Sequence, residues 1–201
     1  MSRAALGFKP RTGRAILIAL TDEPRVIERA EIPLLPPGEF APYHAAEGLE
    51  PQAARKHIRE SLARAQLLAT SAVRDATRRC AETGHQVVGC GVLVGKGMPE
   101  WTTDEILAVH IRMHQAEGEM FRDVLIQGVR TCGLELITLP DRTAIDAAAG
   151  ELGITRARLD AELRVLGRAA GAPWGQHQKE AAAAALVALR HTTSKRKARV
   201  R

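Results

Sequence analysis

The first part of the chain alternates short apolar runs with turn-forming residues. Two apolar runs, at 4–8 and 13–20, and a partly alternating run at 25–34 have the length of strands, so they predict three consecutive strands. A turn signal at 21–24 separates the last two runs, and hairpins are the shortest connections between such strands. Prolines then interrupt regular structure, so residues 36–48 are expected to form a rigid loop.

The pattern changes to helical spacing after this loop. Apolar residues recur on one helical face over 51–82, and Gly84 follows as a stop signal. An uninterrupted apolar run at 86–94 is typical of a buried parallel strand. A second helix, capped by a threonine, is predicted over about 102–131. The remaining predicted elements are a strand at 134–139 and helices at 143–152, 155–167 and 176–190.

Three strands followed by alternating helices and strands predict a single α/β domain. The later strands are joined by helical crossovers, which are right-handed, so the five-stranded sheet is mixed. We expect the domain to span residues 1–191, with a helical insertion at about 141–172. A basic, disordered tail is predicted at 192–201.

Composition restricts the environment in which the chain works. The 201 residues are 45% hydrophobic and 26% charged, and the longest uncharged apolar run, 181–189, is about half as long as a membrane-spanning helix. The N-terminus has no apolar signal core, and the three scattered cysteines are too few for a disulfide framework. We therefore expect a cytoplasmic protein without membrane contact.

The net charge of +6 is concentrated at the two ends of the chain. Residues 192–201 hold five basic residues and no acid, and the first twenty-one residues hold four basic residues and no acid. A solvated terminus is one explanation of the basic tail, and an arm that contacts phosphates is the other. The basic termini make nucleic acid a candidate partner.

Two segments carry a family resemblance. Residues 6–13, Leu-Gly-Phe-Lys-Pro-Arg-Thr-Gly, lead from one strand straight into the next, and residues 180–191 form an alanine-rich helical segment. Both segments, and the order of strands and helices, resemble bacterial Holliday-junction resolvases. The resemblance implies a ribonuclease H-like mixed five-stranded sheet flanked by helices. Segments 42–48, 116–122 and 173–176 resemble a group of bacterial proteins of unassigned function.

The resemblance does not extend to the carboxylates of those enzymes. Nucleases of this superfamily place acids on the first strand, the fourth strand and the last helix, because paired carboxylates hold two divalent ions about 4 Å apart. Lys9 stands at the first-strand position, and the run 86–94 contains no acid. On the last helix only Glu180 matches, since Ala183 replaces the second acid. We therefore expect no two-metal nuclease activity.

The helix around residue 110 carries the candidate chemistry. At about 100° per residue, His110, His114 and Glu117 fall within the apolar face of this helix. Two imidazoles four residues apart, followed by a carboxylate, have the donor types and the spacing to bind one divalent metal ion. The same residues suit an acid/base pair, in which the carboxylate orients one imidazole. They also suit a hydrogen-bonded network that ties the helix to the proline-rich loop.

A second group of polar residues is predicted to bind ligands. They come from the first strand, the proline-rich loop and the last helix: Lys9, Arg11, His44, Glu47, His177 and Glu180. The leading hypothesis is a binding protein with a ribonuclease H-like fold whose partner is nucleic acid. The rival hypothesis is an enzyme that uses His110, His114 and Glu117, either with one divalent metal ion or as an acid/base site.

Overall fold

Five strands form one mixed sheet, in a computed structural model that describes the backbone of residues 1–199 and the side chains of residues 1–192. Their order across the sheet is β3-β2-β1-β4-β5. The first three strands pair antiparallel, whereas β4 is parallel to both β1 and β5. The predicted mixed five-stranded sheet is confirmed. The strands are β1 (Ser2–Arg11), β2 (Arg14–Thr21), β3 (Val26–Pro33), β4 (His85–Val94) and β5 (Leu136–Pro140).

Helices cover both faces of the sheet. One apolar core lies between the sheet and the two longest helices of one face, α2 and α4, and a second core lies between the sheet and α5, α6 and α7. Within the described residues, no helix combines the length and the apolar character needed to cross a membrane. The helices are α1 (Pro42–Ala45), α2 (Pro51–Glu82), α3 (Thr103–Leu107), α4 (His110–Thr131), α5 (Ala144–Leu152), α6 (Arg156–Ala170) and α7 (Gln176–Arg199), with a 3-10 turn at Asp141–Thr143.

The alanine-rich part of α7 lies directly on glycines of the sheet. A methyl group added at Gly7 would lie 1.9 Å from the backbone oxygen of Ala181, and one added at Gly91 would lie 2.3 Å from that of Ala184. Only glycine permits so close an approach of a helix backbone to a strand. The contact fixes the start of α7, and therefore Glu180, beside the end of β1.

The predicted helix over 102–131 is divided in two. Val109 has an extended backbone, with φ −140° and ψ 111°, so α3 ends before it and α4 begins at His110. The prediction that both imidazoles lie inside the apolar face is wrong, because His110 and His114 are exposed. The buried face of α4 is centred nearer Met113 and Glu117, and Glu117 is only 2% exposed.

The last helix is longer than the sequence pattern indicated. α7 continues to Arg199 instead of ending near residue 190, since no glycine or proline interrupts the segment. Helical backbone therefore covers most of the segment 192–201 that was predicted as a disordered tail. Side chains after Thr192 and the last two residues lie outside the described part of the chain.

Candidate functional site

A crevice lies where the parallel strands end. The carboxyl ends of β1, β4 and β5 meet at one edge of the sheet, which is the edge at which open α/β sheets bind ligands. A cavity of about 580 Å³ opens there between the loop after β4, the turn after β5 and the first half of α4. The residues that line this cavity come from three separate parts of the chain.

Lys9 bridges two carboxylates at the crevice. Its ammonium group donates a hydrogen bond to Oδ1 of Asp141, and it lies 3.0 Å from Oε2 of Glu180. The contact with Glu180 is an ion pair and not an aligned hydrogen bond. Lys9 is only 9% exposed, so its charge interacts strongly with both partners. A protein cation thus lies between one carboxylate from the turn after β5 and one from α7.

Arg122 adds a second internal cation to this group. Its guanidinium lies 3.1 Å from Oε1 of Glu119 and 3.5 Å from Oδ2 of Asp141. We call Lys9, Arg122, Glu119, Asp141 and Glu180 the cation-bridged cluster. The three carboxylates are shared between two cations within the protein, so two of their three negative charges are compensated before any ligand arrives.

The other residues predicted for this cleft lie around the cluster. Arg11 donates a hydrogen bond to Nε2 of His177, whose Nδ1 is 3.7 Å from Oε2 of Glu180. Asp141 was not among the candidate site residues that the sequence indicated. The available signal was its position directly after β5, at the edge where the parallel strands end.

Three imidazoles meet on the side of the crevice formed by α4. Nε2 of His110 and Nε2 of His114 are 3.2 Å apart, and the ring of His44 is 5.1 Å and 4.5 Å from their ring centres. One ring nitrogen from each residue lies within 4.8 Å of the others. We call these residues the three-histidine cluster. His114 also lines the cavity, so the cluster and the crevice are continuous.

Glu117 lies behind the cluster and holds α1 against α4. Its Oε1 accepts hydrogen bonds from Nδ1 of His44 at 2.9 Å and from the backbone N–H groups of Tyr43 and His44 at 3.1 and 3.2 Å. Burial, and then the negative charge of Glu117, raise the pKa of the Tyr43 phenol. The structure therefore brings His44 to His110 and His114, whereas Glu47 is exposed after α1.

The basic residues near the N-terminus do not form one surface. Lys9 is buried in the cation-bridged cluster, and Arg14 lies 3.3 Å from Glu31. Arg3 is at the amino end of β1, where it donates a hydrogen bond of 2.6 Å to Thr192 on α7. That contact is at the opposite edge of the sheet from the crevice. The charge concentrated in this part of the sequence is thus distributed over two ends of the molecule.

Comparison with known proteins identifies the fold. No protein-family model matches this sequence, and no curated protein sequence does. RuvC from Thermus thermophilus, in complex with a Holliday junction substrate, is 12% identical, with a TM-score of 0.51 over 97% of this chain and 96% of that one. A second T. thermophilus RuvC structure is 13% identical, with a TM-score of 0.47 over 96% of each chain. The first likeness confirms the ribonuclease H-like fold over nearly the whole chain.

Proposed function

We propose that this chain is a cytoplasmic nucleic-acid-binding protein of ribonuclease H-like fold that does not hydrolyse phosphodiesters by a two-metal mechanism. The observation that carries this proposal is the position of the Lys9 ammonium group between Asp141 and Glu180. Two-metal hydrolysis requires carboxylates that are available to hold two divalent cations about 4 Å apart. Here an internal cation takes up that charge.

The rim of the crevice supports contact with phosphates. Lys96 and Arg142 are exposed on either side of the cavity, from the loop after β4 and the turn after β5. Within the described residues, neither has an ion pair, so both charges are available to a ligand. Lys9 and Arg122 leave the three carboxylates below with a net charge of about −1, and Lys96 and Arg142 add two positive charges at the rim, so the rim presents positive charge to an approaching nucleic-acid backbone. RuvC, the similar structure, is seen with a Holliday junction.

The test measures binding of a fluorescently labelled DNA duplex and a labelled four-way junction by anisotropy at several salt concentrations. We expect affinity that falls steeply with salt, since phosphate contacts release counterions. In the double variant Lys96→Ala/Arg142→Ala, affinity falls and the slope of log affinity against log salt becomes shallower by up to about 2. A chain truncated after Thr192 measures the separate contribution of the basic segment.

A matched control removes the same charge elsewhere. Arg74 and Arg130 are exposed on α2 and α4, at the amino edge of the sheet. We expect the double variant Arg74→Ala/Arg130→Ala to bind DNA like the wild type. Undetectable or salt-insensitive binding by the wild type would contradict the proposal, as would an equal loss of affinity in the control.

A second candidate function is a reaction at the three-histidine cluster. The specific observation in its favour is that His110 and His114 are exposed and that His114 lines the same cavity as the rim cations. Exposed imidazoles beside a cavity can exchange protons with a bound substrate or hold a metal ion there. Glu117 would act by orienting His44, because its Oε1 is engaged by α1.

A further inference from the structure

We propose that His44, His110 and His114 bind one transition-metal ion of the zinc class, with Glu117 as the positioning residue for His44. This inference deepens the second candidate function and is independent of nucleic-acid binding. It differs from the pattern that the sequence suggested, in which Glu117 was itself a ligand.

The spacing of the nitrogens fits a metal ion. Nitrogens that bind one tetrahedral zinc ion at about 2.1 Å lie roughly 3.4 Å from each other. The Nε2 atoms of His110 and His114 are 3.2 Å apart, and the ligand atom of His44 lies within 4.8 Å of both. A small movement of one side chain therefore brings all three nitrogens to a common ion.

Glu117 fixes His44 in the tautomer that a metal requires. Because Nδ1 of His44 donates to the buried carboxylate, Nε2 carries the free lone pair. This Nε2 atom is buried and has no hydrogen-bond partner among the described residues. A histidine that donates one N–H to a carboxylate and presents its other nitrogen is the usual arrangement of a metal-binding imidazole.

The donor set selects the class of metal. Three imidazoles suit zinc and its neighbours among the transition metals, whereas magnesium and calcium prefer carboxylate and carbonyl oxygens. The nearby cation Arg112 is turned away, since it stacks on Trp101 at 4.6 Å and donates a hydrogen bond to the backbone of Glu105. Three protein ligands leave a fourth position for water or substrate, on the exposed side of the cluster.

The test uses the full chain with its purification tag removed and its metal stripped by a chelator. Co²⁺ is titrated in the absence of nucleic acid, and Zn²⁺ or Mg²⁺ is then added as a competitor. We expect one Co²⁺ per chain, with the visible absorption bands of a tetrahedral site, displaced by Zn²⁺ and not by Mg²⁺. Because no nucleic acid is present, failure of this test and failure of DNA binding are distinguishable.

Single substitutions distinguish the three proposed metal ligands from the positioning residue Glu117. We expect His44→Ala, His110→Ala and His114→Ala each to abolish the cobalt bands, and Glu117→Gln to lower metal affinity by about 10- to 100-fold. His57→Ala, on α2, is the matched control and should bind like the wild type. Circular dichroism checks that each variant is folded, and the exposed positions of His110 and His114 favour this.

Two outcomes would overturn the inference. One is a wild-type chain that binds no stoichiometric Co²⁺ or Zn²⁺. The other is wild-type affinity in folded His110→Ala and His114→Ala variants. Either result would reduce the three-histidine cluster to a hydrogen-bonded contact between α1 and α4.

Discussion

Among single residues, Lys9 has the largest effect on the charge of the crevice, because it places a positive charge between two carboxylates. A lysine buried to this extent is costly unless its ammonium is paired, and here it has two carboxylate partners. The dependence is mutual, because Asp141 and Glu180 are themselves only 22% and 12% exposed in their side chains. Without the lysine, the negative charges of two neighbouring carboxylates would be less fully balanced by positive charge.

We expect Lys9→Met to lower the free energy of unfolding by about 2 to 4 kcal/mol, since removal of one member of a buried ion pair leaves the other charges uncompensated. Urea denaturation at pH 7 measures the change. Lys56→Met is the matched control, because Lys56 and Glu60 form an exposed ion pair at 3.9 Å on α2. The control should change stability by less than about 0.5 kcal/mol. Equal changes in the free energy of unfolding would show that the Lys9 ion pairs stabilise the protein no more than an exposed pair does.

At the scale of elements, the contact between α7 and the sheet depends on small residues in both partners. The methyl groups of alanine and the absent side chains of Gly7 and Gly91 allow the helix backbone to touch the strands. This contact sets the height of α7 above β1 and β4. The distance between Glu180 and Lys9 therefore depends on the packing of Ala181 and Ala184, one and four residues further along the helix.

Gly91→Ala is expected to destabilise the protein by about 2 kcal/mol or more, because the added methyl group would meet the backbone of Ala184 and force α7 away from β4. Thermal unfolding measures the loss. Gly150→Ala on α5 is the control, since a methyl group there meets nothing within 4 Å. This helical position should be neutral or gain up to about 1 kcal/mol. A Gly91 variant as stable as the control would mean that α7 does not require the close approach.

The elements also show which features could be predicted from the sequence. Strands β2 and β4 were predictable because each consists mainly of a continuous apolar run of strand length, and Lys9 and Glu180 were placed together through the family resemblance. The helix break at Val109 could not be predicted, because no glycine or proline marks it in the sequence. His44 was predicted among the ligand-binding residues, but it was not grouped with His110 and His114 as a metal ligand. His44 reaches α4 through the docking of α1, which depends on buried hydrogen bonds to Glu117 and not on periodicity.

At the scale of the whole molecule, the two apolar cores share one sheet. Neighbouring residues of β1 and β4 point alternately into the core with α2 and α4 and into the core with α7. Loss of either core removes packing from β1 and β4, so the two cores are coupled through these strands. We therefore expect the chain to unfold as one cooperative unit.

The three cysteines report on this unfolding. Burial raises the pKa of the Cys80 thiol to about 11 and raises that of the fully buried Cys90 further, whereas Cys132 is only partly buried. At pH 8 the native thiolate fraction is therefore lower than in the unfolded chain. With a disulfide reagent we expect Cys132 to react first and Cys90 only through global unfolding. In denaturant all three thiols should react rapidly. If Cys90 reacted as fast as Cys132 in the native protein, the chain would not unfold as a single cooperative unit.

The position of Lys9 has a consequence for how the crevice responds to its surroundings. A centre built from carboxylates and exchangeable ions changes its charge with the supply of those ions. A lysine is covalently part of the chain, so the same charge balance is present in every copy of the protein. The cation-bridged cluster therefore keeps its charge balance when magnesium is scarce, and the loss of magnesium that would inactivate a two-metal centre leaves this cluster unchanged.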